Sequence, residues 1–224
     1  TTYLAFAGAI LLTGYLVSEF GKLDDVRWWF TSLFGCFLVG STAAIIYRAR
    51  HAKKSRSELG PRESWRKQIT AEFFSAPILA FVSIFLVVVW ILAQIYHILI
   101  CSLLGPTNWD SMTYILPRIA AYLQRGSIEY FESNYIAQTV HFKNATILQI
   151  FAFLTTGRSE NAIQFVALIS SWITTFSVFG TGLLLVRRVF PALAAAAILG
   201  GTTNFMMIAV TPQLDMPTTA FFSM

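Results

Sequence analysis

Residues 145–156 read Ala-Thr-Ile-Leu-Gln-Ile-Phe-Ala-Phe-Leu-Thr-Thr, an uncharged run of 12 residues set among much longer ones. As a helix this run is about 18 Å long, against roughly 30 Å for a bilayer core, so it cannot cross alone. Whether it crosses decides how everything around it is oriented. Longer apolar runs cover residues 3–20, 28–47, 76–104 and 162–186, with a fifth at 192–210. Each approaches the 20 or so residues that a spanning helix needs. The chain therefore reads as an all-α polytopic membrane protein with about five transmembrane helices, plus amphipathic or re-entrant helices in a large external loop. Of its 224 residues, 56% are hydrophobic and only 12% charged, whereas soluble chains carry about 25% charged residues. A water-soluble enzyme of this size would expose far more apolar surface than such proteins tolerate.

Charge orients the spans. Eight of the 16 Lys and Arg lie between Arg48 and Lys67, and such clusters stay in the cytoplasm. Arg187 and Arg188 follow the fourth long run and obey the same rule only if 145–156 does not cross. The N-terminus is then cytoplasmic, residues 1–47 form a two-helix hairpin, 48–72 a basic cytoplasmic loop, and 105–160 an external loop. The formal charge of +5 divides into 10 basic and 3 acidic residues inside (+7) and 6 basic and 8 acidic outside (−2). The 48–67 loop is a topological signal first, with anionic lipid headgroups as its partner; nucleic acid is not expected. Cys36 and Cys101 lie within or at the end of spans and do not read as a disulfide. Asn144-Ala145-Thr146 is a glycosylation sequon at the membrane-dipping helix and is expected to stay unused. The first run lacks the basic start and cleavage site of a signal peptide. Because the chain starts at Thr1 and stops at Met224 inside an apolar pattern, it is read as part of a longer protein.

The external loop carries the candidate chemistry. From Met112, apolar residues recur at Ile115, Leu116, Ile119, Ala120 and Leu123, a helical stripe that leaves Arg118 and Arg125 off it and ends at Gly126. This predicts an amphipathic helix on the outer leaflet, with a kink at Pro117. Asp110 stands just before it and Asp215 ends the fifth run, and each is also a credible helix cap. Topology puts both carboxylates on the external face, where acidic groups at membrane depth tend to be functional. Trp109 suits the interface. Gln94, His97, Gln149 and Gln164 read as groups that bond between helices.

Trp109-Asp-Ser-Met-Thr-Tyr-Ile-Leu-Pro-Arg118, followed by Tyr122-Leu-Gln-Arg-Gly-Ser-Ile-Glu-Tyr130, resembles the first external loop of bacterial GT-C membrane glycosyltransferases. That superfamily includes protein O-mannosyltransferases and aminoarabinose transferases. Many of its bacterial members carry W-D-S-x-x-Y-H-L-P-R at this place; here Ile115 stands where they have His. Their H-P-P or Q-P-P-W element is replaced by Gln138 to Lys143. The resemblance implies that 73–224 is the N-terminal part of a GT-C-like membrane domain in a bacterial inner membrane. It also implies inverting transfer of a sugar from a polyprenyl-phosphate donor to an acceptor on the extracytoplasmic side. Asp110 is implied as the base and Asp215 as the second acid, with a divalent cation (Mg or Mn) in some subfamilies. Arg118 and Lys143 become candidates for the phosphate, His141 for an acid or base, and Trp109 and Tyr114 for stacking on sugar. The alternative is a non-catalytic subunit that uses this scaffold to assemble with a membrane-protein partner. A transporter is disfavoured, because no span carries a buried acid and no inverted repeat is visible.

Overall fold

The computed structural model describes residues 2–51, 63–141 and 143–223, and every regular element among them is helical. In chain order these are α1 (Thr2–Glu19), α2 (Val26–His51), α3 (Glu63–Ser75), α4 (Pro77–Leu103), α5 (Leu116–Arg125), α6 (Ala137–Val140), α7 (Lys143–Thr155), α8 (Asn161–Val186), α9 (Val189–Gly200), α10 (Thr203–Ala209) and α11 (Asp215–Phe222). Among the described residues, only α4 and α8 are each long and apolar enough to cross a bilayer, and α9 with α10 can form a third, bent span. The apolar part of α1, Leu4–Glu19, is shorter than a straight crossing requires. The headgroup reading of the 48–67 loop falls largely outside the described residues.

α4 shows how a spanning helix is patterned when its solvent is lipid. Its buried positions are Ala80, Ser83, Gln94, His97 and Cys101, small or polar residues at helical spacing, while Phe81, Phe85, Leu92 and Leu99 point outward. Helices pack in membranes through just such small and hydrogen-bonding residues. α8 runs antiparallel to α4. At one end Asn161 Nδ2 and Gln164 Nε2 donate to the carbonyls of Ser102 and Leu104 at 2.8 and 2.7 Å. Midway, Trp172 Nε1 donates to Gln94 Oε1 at 2.7 Å. At the other end Ser83 Oγ donates to Phe190 O at 2.8 Å. Gln94 and Gln164 thus bond between helices as their place in the spans suggests. The buried hydroxyls of Ser171, Thr174 and Thr175 donate to carbonyls of their own helix.

The antiparallel pair gives the molecule two ends. At the basic end, the Glu72 carboxylate on α3 accepts the N–H groups of Val189 and Phe190 at 2.8 and 3.0 Å. That is a helix N-terminus capped from a distant element, which satisfies two otherwise open donors. The end of the basic segment and the Arg187-Arg188 turn therefore lie side by side. At the opposite, loop end, residues 105–160 leave and return.

The fifth run is not one helix. α9 and α10 meet at 64°, with the break at Gly200-Gly201-Thr202. Gly200 sits against Trp90 and Thr175, each near the middle of its helix, and a Cβ there would lie 2.5 Å from Trp90 Nε1. The close approach sets the end of α9, and Thr202 in extended conformation starts α10 anew.

α7 is neither a span nor a helix lying loose on a surface. Ala145, Thr146, Ile147, Leu148, Gln149, Ile150 and Leu154 are all buried. Ile147, Leu148, Ile150 and Leu154 share one core cluster with Val17, Leu23 and Trp29 of the N-terminal hairpin and with Ile119, Tyr122 and Ile163. The start of α7 meets α1 where Tyr15 OH donates to Asn144 Oδ1 at 3.0 Å. Its far end borders the α1–α2 turn. The same end also meets Phe6 and Ile10 in the first half of α1, so α7 is packed against the hairpin along its length. The hairpin is pinned to the same end: Leu23 N donates to Gly126 O at 3.0 Å, and Ile128 N donates to Ser18 Oγ at 2.8 Å. Gly126 has φ of 68°, and a Cβ on it would lie 2.5 Å from Gly21 O. Glycine is required there both by the left-handed cap of α5 and by the backbone it touches.

Candidate functional site

The stretch 109–118 is built around a proline. Pro117 has no N–H to give the carbonyl of Thr113 four residues back, and its ring crowds that carbonyl. The chain responds with a π-helical turn, Ser111–Ile115, in which Leu116 N donates to Ser111 O. The released Thr113 carbonyl accepts from Gln138 Nε2 at 2.8 Å. A wide turn therefore stands where the sequence suggests a simple kink, and such turns recur at functional sites.

The π turn also rotates the helix that follows. Arg118, off the apolar stripe by periodicity, is only 1% exposed. Its Nε donates to Gln138 O at 2.7 Å, one terminal nitrogen to Ala137 O at 2.9 Å, and the other to Thr146 Oγ1 at 3.4 Å. In this arrangement the guanidinium is closed to a ligand phosphate. It ties α5 to α6 and α7 instead.

Neither aspartate caps a helix. Asp110 already has helical angles and makes no capping bond. Its Oδ2 instead accepts from Gln213 Nε2 at 3.0 Å, across 103 positions of sequence. Asp215 is the exposed first residue of α11. Tyr114 reports on both: burial first, then the nearby Asp110 and Asp215 carboxylates, raise its phenol above the ordinary tyrosine range, while Arg118 pulls the other way. The charges of both acids are felt at one phenol. Tyr114 is further framed by His141, stacked at 5.0 Å between ring centroids, and by Tyr135 at 6.5 Å. His141 is exposed, Lys143 half-buried at the start of α7, and Trp109 77% exposed.

Three glutamines hold this together. Gln138 receives Arg118 and supports Thr113, Gln213 holds Asp110, and Gln149 Nε2 donates to Pro212 O. Gln149 is foreseeable as a buried amide in an apolar helix. Gln213 carries only its nearness to Asp215 as a signal. Among the described residues no group of three His, Cys, Asp or Glu gathers in metal-binding reach, and one oxygen of Asp110 is engaged by an amide N–H. This set does not make a cage for Mg or Mn. What it offers is two carboxylates, an ammonium and aromatic faces at the end of a membrane bundle. No family model, no curated protein and no solved structure matches the chain.

Proposed function

We propose that the protein is a multi-pass membrane glycosyltransferase of the GT-C kind, with about five spans and a cytoplasmic N-terminus. It would move a sugar from a polyprenyl-phosphate donor to an acceptor on the extracytoplasmic face. The observation that carries this is the bond from Gln213 Nε2 to Asp110 Oδ2, which ties the Asp110 segment to the one that holds Asp215, with the charge of both acids felt at Tyr114. In the reaction the acceptor oxygen or nitrogen attacks the anomeric carbon as the bond to the phosphate oxygen breaks. Asp110 takes the acceptor's proton, and polyprenyl phosphate leaves from the opposite face, which inverts the centre. With Arg118 committed to the protein interior, Lys143 is the cation available to the departing phosphate. Asp215, exposed beside the same phenol, orients the acceptor. Tyr114 and His141 present aromatic faces to the sugar.

A positioned general base contributes about 10²- to 10⁴-fold. Transfer from a labelled polyprenyl-phosphate sugar by the purified full-length protein should therefore fall at least about 10²-fold in Asp110→Asn. Equal turnover in both would remove Asp110 from the chemistry. The burial of Arg118 favours the second reading, a non-catalytic subunit on the same scaffold; absence of transfer by the unmodified protein, alongside co-purification of a membrane partner, would support it.

A further inference from the structure

A second polar hollow lies apart from Asp110 and Asp215, between the α1–α2 turn and the α7–α8 turn. It has a volume of about 600 Å³ and is bordered by Asp24, Asp25, Arg27, Leu154, Gly157 and Arg158. Two acidic and two basic residues thus border one open depression, with Asp24, Arg27 and Arg158 exposed. Among the described residues no ion pair joins them; the one bond made by these side chains is from Arg27 N to Asp25 Oδ1 at 2.9 Å. Opposite charges left apart around a hollow are arranged for a ligand that carries both signs.

The level of the hollow is marked by Phe20 and Trp28, exposed rings packed at 5.6 Å beside the same turn. Of the two, Trp28 has the amphipathic ring that favours the headgroup layer. Arg158 is held there by unusual backbone: Gly157 at φ 74° and Arg158 at φ 67° are consecutive left-handed residues. The second is a conformation that non-glycine residues rarely adopt and that tends to mark functional positions. The same end of α7 also borders an apolar groove of about 350 Å³ between α1, α7 and α8, where Phe6, Ile10, Phe151, Phe165 and Ile169 meet Thr155 and Thr156 at its rim.

We propose that this hollow and groove form a binding site for a zwitterionic aminophospholipid, with the phosphate between Arg27 and Arg158, the ammonium on Asp24 and Asp25, and an acyl chain in the groove. Phosphatidylethanolamine has three N–H donors for the carboxylates. Phosphatidylcholine has the same charges but no N–H, and an uncharged glycerol headgroup leaves both carboxylates facing a net anion. The chemistry therefore selects the first over the other two, independently of any sugar transfer.

Native mass spectrometry of the delipidated full-length protein, titrated with the three lipids at matched acyl chains, tests this. Loss of a charge-assisted hydrogen bond corresponds to about tenfold in affinity, so phosphatidylethanolamine should bind at least about tenfold more tightly than either competitor. Arg27→Gln with Arg158→Gln should weaken it by a similar factor, Arg158→Lys should keep it, and Asp24→Asn should narrow the preference over phosphatidylcholine. Equal retention of all three lipids, preference for phosphatidylglycerol, or unchanged binding in the double Arg variant overturns the proposal.

Discussion

The two segments that meet beside Tyr114 are held in different ways. The 109–118 stretch is fixed from behind: Arg118 is buried with three bonds to protein oxygens, and Gln138 supports the carbonyl that Pro117 leaves open. The 211–217 stretch packs through Met216 against Ala167 and Leu168 of α8 and is tethered by two amides, Gln149 to the Pro212 carbonyl and Gln213 to Asp110. Asp110 is consequently a hydrogen-bonded carboxylate on a mount tied by a buried charge, and Asp215 is an exposed one whose carboxylate makes no hydrogen bond among the described residues. A base needs the first arrangement, since its geometry must hold through proton transfer. An acceptor-orienting group tolerates the second.

The comparison breaks most severely if the mount is removed. Arg118→Ala leaves the carbonyls of Ala137 and Gln138 without their buried donors, and hydrogen bonds to a charged group contribute about 1.5–3 kcal/mol each. A loss of about 3 kcal/mol or more is expected, seen as a lower thermal midpoint of the purified protein in detergent. Arg118→Lys should recover only part of it, because an ammonium cannot reach three oxygens with the spread of a guanidinium. A midpoint unchanged in Arg118→Ala would mean that the guanidinium is not what holds α5 to α6 and α7.

The tether is the milder case. Gln213→Leu removes the one side-chain bond to Asp110 but buries no new charge, so stability should change by less than about 1 kcal/mol. If Asp110 is the base, turnover should drop about tenfold through kcat with KM little altered, as expected when a group that positions the base rather than binds substrate is lost. Gln213→Glu should be worse than Gln213→Leu, since it sets a second carboxylate against Asp110. Leucine and glutamate variants with equal, unimpaired turnover would show that Asp110 needs no help from this side.

Much of this architecture is legible in the chain. Run length alone separates α4 and α8, and the 12-residue run at 145–156 is not among the helices long enough to cross; it is a short helix buried against its neighbours. Gly126 marks the end of α5 because left-handed caps favour glycine. Two features are not legible, for one physical reason: they depend on partners remote in sequence. The apolar stripe from Met112 assumes an unbroken 3.6-residue period. The π turn before Pro117 adds a residue without adding a turn, so Met112 and Ala120 face out while Arg118 and Tyr122 face in. A buried arginine here makes sense only once the Ala137 and Gln138 carbonyls are in place. Likewise the break in the fifth run follows from Trp90 and Thr175 pressing on Gly200, a contact between three helices that no local pattern carries.

The gentlest probe of the comparison is Tyr114 itself, which feels both segments at once. Burial and the two carboxylates favour its protonated form in the folded protein, so its pKa lies above the unfolded value of about 10. A raised folded pKa contributes stability that is fully present below the unfolded pKa and is lost as pH rises through the folded one. The midpoint difference between the unmodified protein and Tyr114→Phe should therefore stay constant up to about pH 9.5 and shrink above about pH 10. Tyr122, also raised by burial, leaves some alkaline loss in the variant. Asp215→Asn in the same series removes one of the two charges, and if that exposed carboxylate stays near the phenol, the alkaline fall of the midpoint should move to lower pH. An unmoved profile would mean that Asp215 swings clear of Tyr114 in solution, and the pairing of the two acids would then rest on Asp110 and Gln213 alone.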